Sequence, residues 1–548
     1  MDVKVPDIGD FSEVPVVAIL VAVGDTVAEE DPLIELESDK ATMEVPSPAA
    51  GVIKEIKVAE GDKVGEGSVI LVLEGTGAED APAAPAEAPA AAAPQTVAAT
   101  GTASGPGDIH AEVVVLGSGP GGYTAAFRAA DLGKKTVLIE KYPTLGGVCL
   151  NVGCIPSKAL LHVAKVITEA EEMGAHGVTF AKPKINLDEL RGFKESVVNQ
   201  LTGGLKGLSK GRKVEVVQGY GKFTGPNMIE VVEDGKVTTV SFDQCIIAAG
   251  SEPVHLPFLP HDDERVVDST GALELSEIPK RMLVLGGGII GLEMACVYDA
   301  LGTKVTIVEL MDQIIPGADK DIVKPLHNRT KGRYENILLK TKVTAMEAQK
   351  KGLKVTFEDT KGEVTTDTFD KVLVAVGRTP NGKKIDADKA GVAVDERGFI
   401  AVDSQQRTGV HHIFAIGDLV GQPMLAHKAV HEGKVAAEVC AGHKRHFDAK
   451  LIPSVAYTDP EVATVGKNEE VCKLEGIPYE VTKYGIDDLD RAIADSEAHG
   501  FIKVLTVPGK DKILGVTIVS EHAGDLLAEF VLAMKHDLGL NKLVGTIH

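Results

Sequence analysis

Two cysteines five positions apart carry the most informative chemistry of this chain. Cys149 and Cys154 lie in the segment Gly-Gly-Val-Cys-Leu-Asn-Val-Gly-Cys-Ile-Pro-Ser-Lys, residues 146–158, just downstream of a glycine-rich phosphate-binding pattern. A dithiol beside a dinucleotide site predicts a disulfide that opens and closes by exchanging two electrons with a bound cofactor. The alternatives are two buried thiols, a structural bridge or half of a metal site. A metal site needs partner ligands, and no second cysteine pair or Cys/His cluster follows in the sequence, so we predict no metal.

The spacing of the two cysteines restricts the backbone between them. On a regular helix, residues five apart have Cα atoms about 8 Å apart, whereas a disulfide needs them within about 7 Å. We therefore expect a distorted backbone between Cys149 and Cys154, which Gly153 makes easier.

Two copies of one pattern would position a cofactor beside this pair. Each has a buried-strand run, a Gly-x-Gly-x-x-Gly loop, a helix-compatible stretch and a second strand that ends at an acid, Glu140 or Glu309. This order predicts dinucleotide binding: the first glycine allows a tight turn, the second admits the pyrophosphate and the third lets helix and strand pack. The alternative is a fold of this type without a nucleotide. The carboxylate of Glu309 would repel a 2′-phosphate, so the second site should prefer NAD to NADP.

Further strand ends complete the two nucleotide domains. Residues 246–253 and 372–380 are similar to each other, and each is predicted to close one domain. A third strand ends in Gly417-Asp418, where an acid of a flavoprotein can hold the ribityl hydroxyls. The next helix is predicted to begin within residues 422–427, and its N-terminus would stabilise negative charge on a reduced flavin.

The N-terminal region contains a second internal repeat. Residues 21–37 match residues 58–74, and each copy has a Gly-Asp turn followed by alternating β-forming residues. Two copies predict a flattened β-barrel with Lys40 at a hairpin tip. This domain resembles a lipoyl domain, and the resemblance makes Lys40 the lipoate attachment site. The alternatives are biotin, whose domains usually carry Met-Lys-Met, and an ordinary exposed lysine.

An Ala/Pro-rich segment, residues 78–107, follows this domain. Its composition cannot build a core, so it predicts an interdomain linker. A linker of this length spans roughly 30 Å as a flexible coil and up to about 90 Å if fully extended. The N-terminal domain could therefore visit sites well away from its point of attachment.

Composition bounds the remaining possibilities. A length of 548 residues predicts roughly three to five domains. The formal charge of −23 argues against nucleic acid and anionic membranes as partners. Six cysteines fit a reducing cytosol better than a disulfide scaffold. Because we find neither a basic leader nor an apolar stretch near 18 residues, we expect a cytoplasmic protein without a membrane span.

Taken together, these motifs resemble those of the pyridine nucleotide-disulfide oxidoreductase family, over essentially the whole chain. Ser157-Lys158 and Glu309 are similar to its lipoamide-linked branch, whereas glutathione reductases tend to carry Lys-Lys after the proline and mercuric reductases add a C-terminal cysteine pair. The resemblance implies FAD at the first glycine loop and NAD at the second. FAD contacts are implied for Gly117, Gly119, Gly122, Glu140, Lys158, Gly221, Ser251, Asp418, Met424, Leu425, Ala426 and His427. NAD contacts are implied for Gly286, Gly288, Gly291, Glu293, Glu309, Val343 and Gly377.

The implied fold is a multidomain α/β protein. It has two Rossmann-like nucleotide-binding domains and an α+β dimerisation domain, preceded by the all-β lipoyl domain. The predicted boundaries are 1–77 for the lipoyl domain, 78–107 for the linker, 108–260 and 378–450 for the two parts of the FAD domain, 261–377 for the NAD domain and 451–548 for the dimerisation domain.

The resemblance also assigns catalytic roles. Cys149 would face the substrate and Cys154 the flavin, where a helix N-terminus and Lys158 would lower the thiol pKa. Lys158 is expected to pair with Glu293 beside the position of hydride transfer. The family's base is a histidine in a His-Pro-x-x-Ser-Glu segment, and the sequence stops at His548, where that segment should begin. We therefore expect a truncated dimerisation domain, no base at His548, thiol turnover lower by ~10²–10⁴, and retained NADH-to-acceptor diaphorase chemistry.

The predicted function is oxidation of protein-bound dihydrolipoamide to lipoamide, with reduction of NAD⁺, through the active-site disulfide and FAD. The expected partners are a second copy of the chain and the acyltransferase and other components of a 2-oxo acid dehydrogenase complex. The alternatives are a reductase for another small disulfide and a lipoyl carrier or scaffold with little turnover.

Overall fold

The computed structural model describes residues 2–5, 14–27, 32–37, 42–49, 51–59, 61–65, 67–74, 93–103 and 105–548. The chain divides into two compact units, Met1–Ala86 and Glu87–His548. The predicted attachment residue Lys40 and residues 78–92 of the predicted linker lie outside the described residues.

The first unit contains two four-stranded antiparallel sheets that repeat one another. One sheet has the strand order Asp2–Lys4, Val69–Glu74, Gly51–Ile56, Thr26–Val27, and the other Thr42–Pro46, Pro32–Glu37, Val14–Ile19, Lys63–Val64. Three strands of the first repeat recur 37 positions later, as the pair Pro32–Glu37 and Val69–Glu74 illustrates. The internal repeat seen in the sequence is thus a structural repeat.

The turns and the core of this unit repeat as well. The carboxylates of Asp25 and Asp62 each accept a hydrogen bond of 2.8 Å from the backbone N–H three residues earlier. Branched apolar side chains from both copies are buried in one shared core. Strand Val14–Ile19 shows the expected alternation, with Val14 and Val16 buried and the residues between and after them more exposed.

The first nucleotide domain of the second unit has a seven-stranded mixed sheet. Its strands, in spatial order, are Glu215–Gln218, Thr136–Glu140, Ile109–Leu116, Lys236–Ile247, Met228–Glu233 and Tyr220–Gly225, with Ile413–Ala415 paired to Lys236–Ile247. Strand Ile109–Leu116 pairs in parallel with both neighbours, so its carboxyl end, where the glycine loop begins, lies inside the sheet. Val113, Val114 and Val115 are fully buried, as expected for a strand covered on both faces.

The second nucleotide domain repeats this arrangement with a five-stranded parallel sheet. Its strands are Val266–Val267, Lys371–Val374, Arg281–Leu285, Lys304–Val308 and Asn336–Leu338. A three-stranded antiparallel sheet follows the parallel strand Asn336–Leu338 in the sequence and precedes the parallel strand Lys371–Val374. Its strands are Thr341–Gln349, Gly352–Asp359 and Val364–Phe369. Strand Ser251–Pro253 pairs with Arg378–Pro380 and joins the two predicted domain-closing segments.

The C-terminal region is built on a five-stranded antiparallel sheet. Its order is Ser454–Ala456, Glu461–Gly466, Ile513–Ser520, Phe501–Thr506, Glu480–Gly485. The helices of the described residues are Pro120–Asp131, Gly147–Val152, Cys154–Glu172, Leu187–Gly211, Ser269–Leu273, Ile289–Ala300, Lys320–Lys331, Ala426–Cys440, Glu469–Leu474, Asp490–Ala494, Ala523–Lys535 and Leu540–Val544. Short 3₁₀ turns lie at Met173–His176, Asn381–Lys384, Ala387–Ala390, Gly417–Leu419 and Ile486–Asp488.

One helical stretch, Gly147–His176, is long and apolar enough by length and composition to cross a membrane. Length and composition alone are weak evidence for a membrane span, because a core helix of a globular domain meets the same test. The stretch carries both cysteines, and its Lys158 forms an ion pair with Glu293 of another helix. Leu160 and Ala164 are part of the core of the second nucleotide domain. These contacts are those of a core helix that joins two domains.

The C-terminal part of the predicted linker contacts the first nucleotide domain. The backbone N–H groups of Val97, Gly101 and Ala103 donate hydrogen bonds to carbonyls of that domain, and Thr96 forms an isolated bridge with Val392. This segment is therefore held on the second unit, although its composition resembles that of a mobile chain.

Candidate active site

The two cysteines lie on either side of a helix break. Cys149 belongs to the helix Gly147–Val152, and Cys154 is the first residue of the helix Cys154–Glu172. Gly153 joins them at φ −144° and ψ −110°, outside the helical region, and a Cβ there would lie 2.9 Å from the carbonyl oxygen of Val148. The distorted backbone expected from the cysteine spacing is thus present. Both thiols are free and half-buried.

The environment of the pair separates the two sulfurs electrostatically. A hydrogen bond from the Cys149 thiol is the largest influence that lowers the pKa of Cys154, and the positive charge of Lys158 lowers it further, against the opposing effect of burial, to about 7. The Cys149 thiol donates this hydrogen bond to Cys154, and the bond, together with burial, raises the pKa of Cys149. Cys154 is also at the N-terminus of a 19-residue helix, where the helix dipole favours a negative charge. The reduced pair therefore holds its negative charge on Cys154.

Lys158 lies one helical turn after Cys154 and pairs with Glu293. Its Nζ is 3.0 and 2.8 Å from the two carboxylate oxygens. The backbone N–H of Tyr457 donates to the same carboxylate at 3.1 Å, and the Lys158 ammonium lies 4.5 Å from the centroid of the Tyr457 ring. Residues from the cysteine helix, the second nucleotide domain and the C-terminal region thus meet at one ion pair.

The first glycine loop has the geometry that pyrophosphate binding requires. Gly117 has φ +104°, which favours glycine, and a Cβ on Gly122 would collide with the carbonyl oxygen of Gly117. A Cβ on Gly119, in contrast, would have no atom of the described residues within 4 Å. Gly119 caps the helix Pro120–Asp131, so the open space lies at a helix N-terminus.

The second glycine loop repeats these three environments. Gly286 has φ +110°, a Cβ on Gly291 would collide with the carbonyl oxygen of Gly286, and Gly288 leaves open space at the N-terminus of the helix Ile289–Ala300. The three glycines of each predicted fingerprint therefore differ in the way that dinucleotide binding demands.

The two strand-end acids are held in the same way. Glu140 accepts hydrogen bonds from the backbone N–H of Ser118 at 2.9 Å and from that of Tyr142 at 2.9 Å. Glu309 accepts from Gly287 at 2.7 Å and from Met311 at 2.8 Å. Each carboxylate thus accepts one hydrogen bond from its glycine loop and one from the residue two positions after the acid, and these two bonds fix the orientation of the carboxylate.

A third polar cluster lies beside the first glycine loop. Ser251 donates a hydrogen bond of 2.5 Å to Asp418 and accepts one of 2.7 Å from Arg378. Nearby, the buried carboxylate of Glu432 accepts from the backbone N–H of Gly417 at 2.7 Å, and burial raises its pKa. These bonds fix the turn that precedes the helix Ala426–Cys440.

One cavity of about 1840 Å³ connects the cysteine pair, the Lys158–Glu293 pair, the Ser251–Asp418 cluster and both glycine loops. Its volume exceeds the ~300–1,000 Å³ of a typical small-molecule site, and its lining includes both glycine loops and the cysteine pair. The predicted site residues that line it are Cys149, Cys154, Lys158, Glu293, Gly117, Gly119, Gly122, Glu140, Gly221, Ser251, Asp418, Met424, Leu425, Ala426, Gly286, Gly288, Glu309, Val343 and Gly377.

Two predicted contact residues do not line this cavity. Gly291 supports the helix packing behind the second loop. His427 points elsewhere, because its Nε2 lies 2.7 Å from the carbonyl oxygen of Pro453 on the protein surface. The preceding residues Leu425 and Ala426 do line the cavity, so the helix N-terminus, and not the histidine ring, faces a ligand.

Several site residues escaped the sequence analysis. Tyr457 and Arg378 contact predicted residues from distant segments, and Tyr123 is close enough that both cysteines raise its pKa, in addition to burial. Only Arg378 had a sequence signal, since it lies within the repeated strand end 372–380. The other two could not be placed before the domains were assembled.

An acidic cluster elsewhere in the second unit already surrounds a lysine ammonium. Asp319, Asp321 and Glu469 converge on the fully buried ammonium of Lys503, at 2.8 Å from Asp319 and 3.0 Å from Asp321. The lysine occupies the position that a cation would take, so this cluster offers no metal site.

These features are those of a flavin- and nicotinamide-linked disulfide enzyme, and the chain belongs to the pyridine nucleotide-disulphide oxidoreductase family. Residues 111–433 match that family and residues 452–548 match its dimerisation domain. Residues 1–73 match the family described as biotin-requiring enzyme, which covers domains of the biotinyl and lipoyl type. The predicted family and fold class are therefore confirmed, and the chain is an oxidoreductase of a family that uses FAD and NAD.

Within this family the chain is similar to dihydrolipoyl dehydrogenases. It is 58% identical over 442 residues to the dihydrolipoyl dehydrogenase of Vibrio cholerae, which covers 80% of this chain and 93% of the relative. It is 56% identical over 444 residues to that of Haemophilus influenzae, covering 80% and 92%. Among solved structures, the HOCl-induced flavoprotein disulfide reductase RclA from Escherichia coli has a TM-score of 0.71 at 26% identity, over 80% of this chain and 96% of that one.

The residues present fit an FAD and an NAD. The middle glycine of each loop leaves space that neighbouring glycines do not. In addition, the buried Oδ1 of Asn381, a residue of the cavity lining, has no hydrogen-bond partner among the described residues. An acceptor in this position is available to a ligand donor, since buried polar atoms are normally paired.

Proposed function

We propose that this chain oxidises protein-bound dihydrolipoamide to lipoamide and reduces NAD⁺, as part of a 2-oxo acid dehydrogenase complex. The observation that carries this proposal is the single cavity that contains the Cys149–Cys154 pair, the Lys158–Glu293 pair and both nucleotide loops. The identity to dihydrolipoyl dehydrogenases supports the substrate. A biotinyl/lipoyl-type domain in the same chain supplies a place for that substrate.

The dithiol chemistry uses the electrostatic difference between the two sulfurs. A thiolate of dihydrolipoamide attacks Cys149 of the disulfide, the Cys149–Cys154 bond breaks, and Cys154 leaves as a thiolate. The second substrate thiol then attacks the substrate sulfur of the mixed disulfide, which releases lipoamide and the Cys149 thiol. A sulfur whose pKa is about 7 is the better leaving group of the two.

Two electrons then pass from the dithiol to NAD⁺. When bound, FAD supplies a two-electron acceptor for the dithiol and a hydride donor for NAD⁺. Lys158 stabilises the thiolate of Cys154, and Glu293 holds the ammonium in place. The balanced result is dihydrolipoamide and NAD⁺ converted to lipoamide, NADH and one proton.

The association and location of the chain follow from the same proposal. We expect a homodimer formed through residues 452–548, which match the dimerisation domain. We also expect binding to the acyltransferase and other components of the complex, in the cytoplasm. Gel filtration with light scattering measures the first, and co-purification with the acyltransferase tests the second.

Anaerobic titration with dihydrolipoamide, followed by visible spectroscopy, tests the activity directly. We expect stoichiometric flavin reduction or a thiolate–flavin charge-transfer band, and NADH formation when NAD⁺ is added. Steady-state assays with lipoamide and with glutathione disulfide distinguish the alternative substrate. Preference for glutathione disulfide would reject the proposal, and loss of all flavin absorbance would favour a carrier or scaffold.

The attachment residue is tested by mass. We propose Lys40 as the lipoylated residue, so the chain from a lipoylating host should carry the added mass of one lipoyl group. The Lys40→Arg variant should lack it, whereas Lys54→Arg in the same domain should retain it. An unmodified wild-type chain, or a modified Lys40→Arg variant, would reject this assignment.

A further inference from the structure

Residues 95–103, called the strap below, lie extended across the first nucleotide domain. Backbone N–H groups of Val97, Thr100, Gly101 and Ala103 donate hydrogen bonds to the carbonyls of Gly391, Asp388, Lys389 and Thr224, at 3.1 to 3.2 Å. Two threonine hydroxyls add bonds, from Thr96 to the Gly409 carbonyl at 2.5 Å and from Thr100 to the Asp388 carboxylate at 2.9 Å. The strap is thus held along its whole length.

The surface under the strap is shaped by glycines on both sides. A Cβ on Gly101 of the strap would lie 2.5 Å from the carbonyl oxygen of Thr224. A Cβ on Gly409 or Gly225 of the domain would collide with the strap backbone at residues 95 and 103. Backbone therefore lies directly on backbone, which only these small residues allow.

The strap is held by hydrogen bonds and shape, not by an apolar core. Val97, the largest apolar side chain of the strap, is 40% exposed, and most residues of the strap are exposed. The position of such a segment on the domain is fixed, because its backbone N–H groups must lie opposite particular carbonyl groups. The segment is also sensitive to any added side chain at the glycine contacts.

We infer that the strap is an anchor that attaches the predicted linker to the first nucleotide domain from about residue 95 onward, and not from residue 107 as composition alone predicts. Its docking elements also support the cavity, since the N–H of Phe223 bonds the carbonyl of Ile385 at 2.9 Å and Ile385 lines the cavity. The tether of the N-terminal domain is thereby fixed to the domain that carries the first glycine loop.

The anchor shortens the reach of the N-terminal domain. The predicted linker upstream of the strap, residues 78–94, has roughly 17 residues in place of roughly 30, so its longest possible span is about 50 Å in place of about 90 Å. This consequence for catalysis rests on the proposed lipoyl function. Because effective concentration falls roughly as the −3/2 power of tether length, release of the strap should lower the rate of intramolecular lipoyl reduction about twofold.

Hydrogen–deuterium exchange on the full chain with bound flavin tests the anchor without any assay of lipoate. We expect the amides of Val97, Thr100, Gly101 and Ala103 to exchange at least about tenfold more slowly than an unstructured peptide of the same sequence. In Gly101→Val these amides should exchange at the unstructured rate, and elastase should cleave within residues 95–103. The matched control, Ala98→Val, places the same valine side chain at an exposed position of the strap and should leave both readouts unchanged.

The flavin content of each variant shows that the body remains folded. A second variant, Gly409→Ala, places the obstruction on the domain side and should release the strap in the same way. Unprotected strap amides in the wild-type chain, or equal exchange in Gly101→Val and Ala98→Val, would overturn the inference. Neither result would bear on the dithiol chemistry, which the dihydrolipoamide titration tests separately.

Discussion

The ammonium of Lys158 bonds both carboxylate oxygens of Glu293, at 3.0 and 2.8 Å, and so links the cysteine helix to the helix Ile289–Ala300 of the second nucleotide domain. The Glu293 side chain is only 6% exposed, whereas that of Lys158 is 36% exposed. The pair therefore connects one buried charge to one that reaches the cavity. Its two roles, to hold the domains and to supply positive charge to Cys154, can be separated by mutation.

Replacement of Lys158 by Met should destabilise the protein. Loss of a partner costs about 3–5 kcal/mol for a buried pair and about 0–1 kcal/mol for an exposed one. Because Lys158 is partly exposed, we expect a loss near 2 kcal/mol in the free energy of unfolding, measured by denaturant titration. Glu293 would remain buried without its cation.

A double-mutant cycle provides the control. Lys158→Met combined with Glu293→Leu should cost less than the sum of the two single changes, because the second change removes the stranded charge. Additive effects within about 0.5 kcal/mol would show that the pair contributes no coupling and would contradict this account.

The pH dependence of the reduced cysteines should depend on the hydrogen bond from Cys149. The pKa of Cys154 lies at about 7, below its ordinary value of 9.0. Between these values Cys154 is a thiolate in the folded protein. Its alkylation by iodoacetamide should therefore be constant above pH 8 and fall about tenfold per pH unit below the pKa of about 7. Peptide mapping assigns the label to each cysteine.

The matched variants at Cys149 test the cause of this shift. Cys149→Ser keeps a hydrogen-bond donor and should leave the Cys154 midpoint low. Cys149→Ala removes the donor, so the midpoint should rise towards 9.0, although Lys158 still lowers it. Equal midpoints in the two variants would show that the hydrogen bond is not the main influence.

Much of the site could be predicted because its parts are local in sequence. The glycine loops, their acids and the cysteine pair each lie within one strand–turn–helix segment, where spacing determines geometry. Lys158 and Glu293 are far apart in the chain, so their spacing predicts no contact between them. Their pairing is predicted only by the resemblance to the family.

Other features needed the assembled domains. The Tyr457 contact depends on how the C-terminal sheet meets the cysteine helix, which no local pattern encodes. Composition predicts that the strap belongs to the linker. A segment rich in Ala, Gly and Thr can be mobile or can be held by backbone hydrogen bonds, and its composition does not distinguish the two. The motif predicts the helix N-terminus but not the direction of the His427 side chain, whose ring lies at the carbonyl of Pro453.

The middle and last glycines of the first loop should respond differently to the same substitution. Gly119→Ala fits the free fold, since a Cβ there meets no atom of the described residues within 4 Å and the backbone φ is −62°. It should fold normally but lose FAD, because the Cβ occupies the space needed by the pyrophosphate. Flavin absorbance per chain, together with thermal unfolding of the apoprotein, measures both effects.

Gly122→Ala is the matched comparison. Its Cβ would collide with the carbonyl oxygen of Gly117, so the glycine loop or the helix must move. We expect loss of FAD together with a lower unfolding temperature of the apoprotein. A stable Gly122→Ala protein with full flavin, or a Gly119→Ala protein with full flavin, would contradict the assigned glycine roles.

Tyr457 should contribute to the site through its ring and its backbone, but not through its hydroxyl. The Lys158 ammonium lies 4.5 Å from the ring centroid, and the bond to Glu293 comes from the backbone N–H, which every substitution retains. Tyr457→Leu removes a cation–π contact worth about 0.5–1 kcal/mol at a partly exposed site, or a factor of about 2–5. We therefore expect dithiol reoxidation by NAD⁺ to slow two- to fivefold in stopped-flow measurements.

Tyr457→Phe keeps the ring and should react at the wild-type rate, with the same Cys154 midpoint in the alkylation profile. In Tyr457→Leu that midpoint should rise, because a less firmly held ammonium stabilises the thiolate less. If Phe and Leu slowed the reaction equally, the hydroxyl would be the contributing group. If neither slowed it, the Lys158–Glu293 pair would be positioned without the aromatic ring.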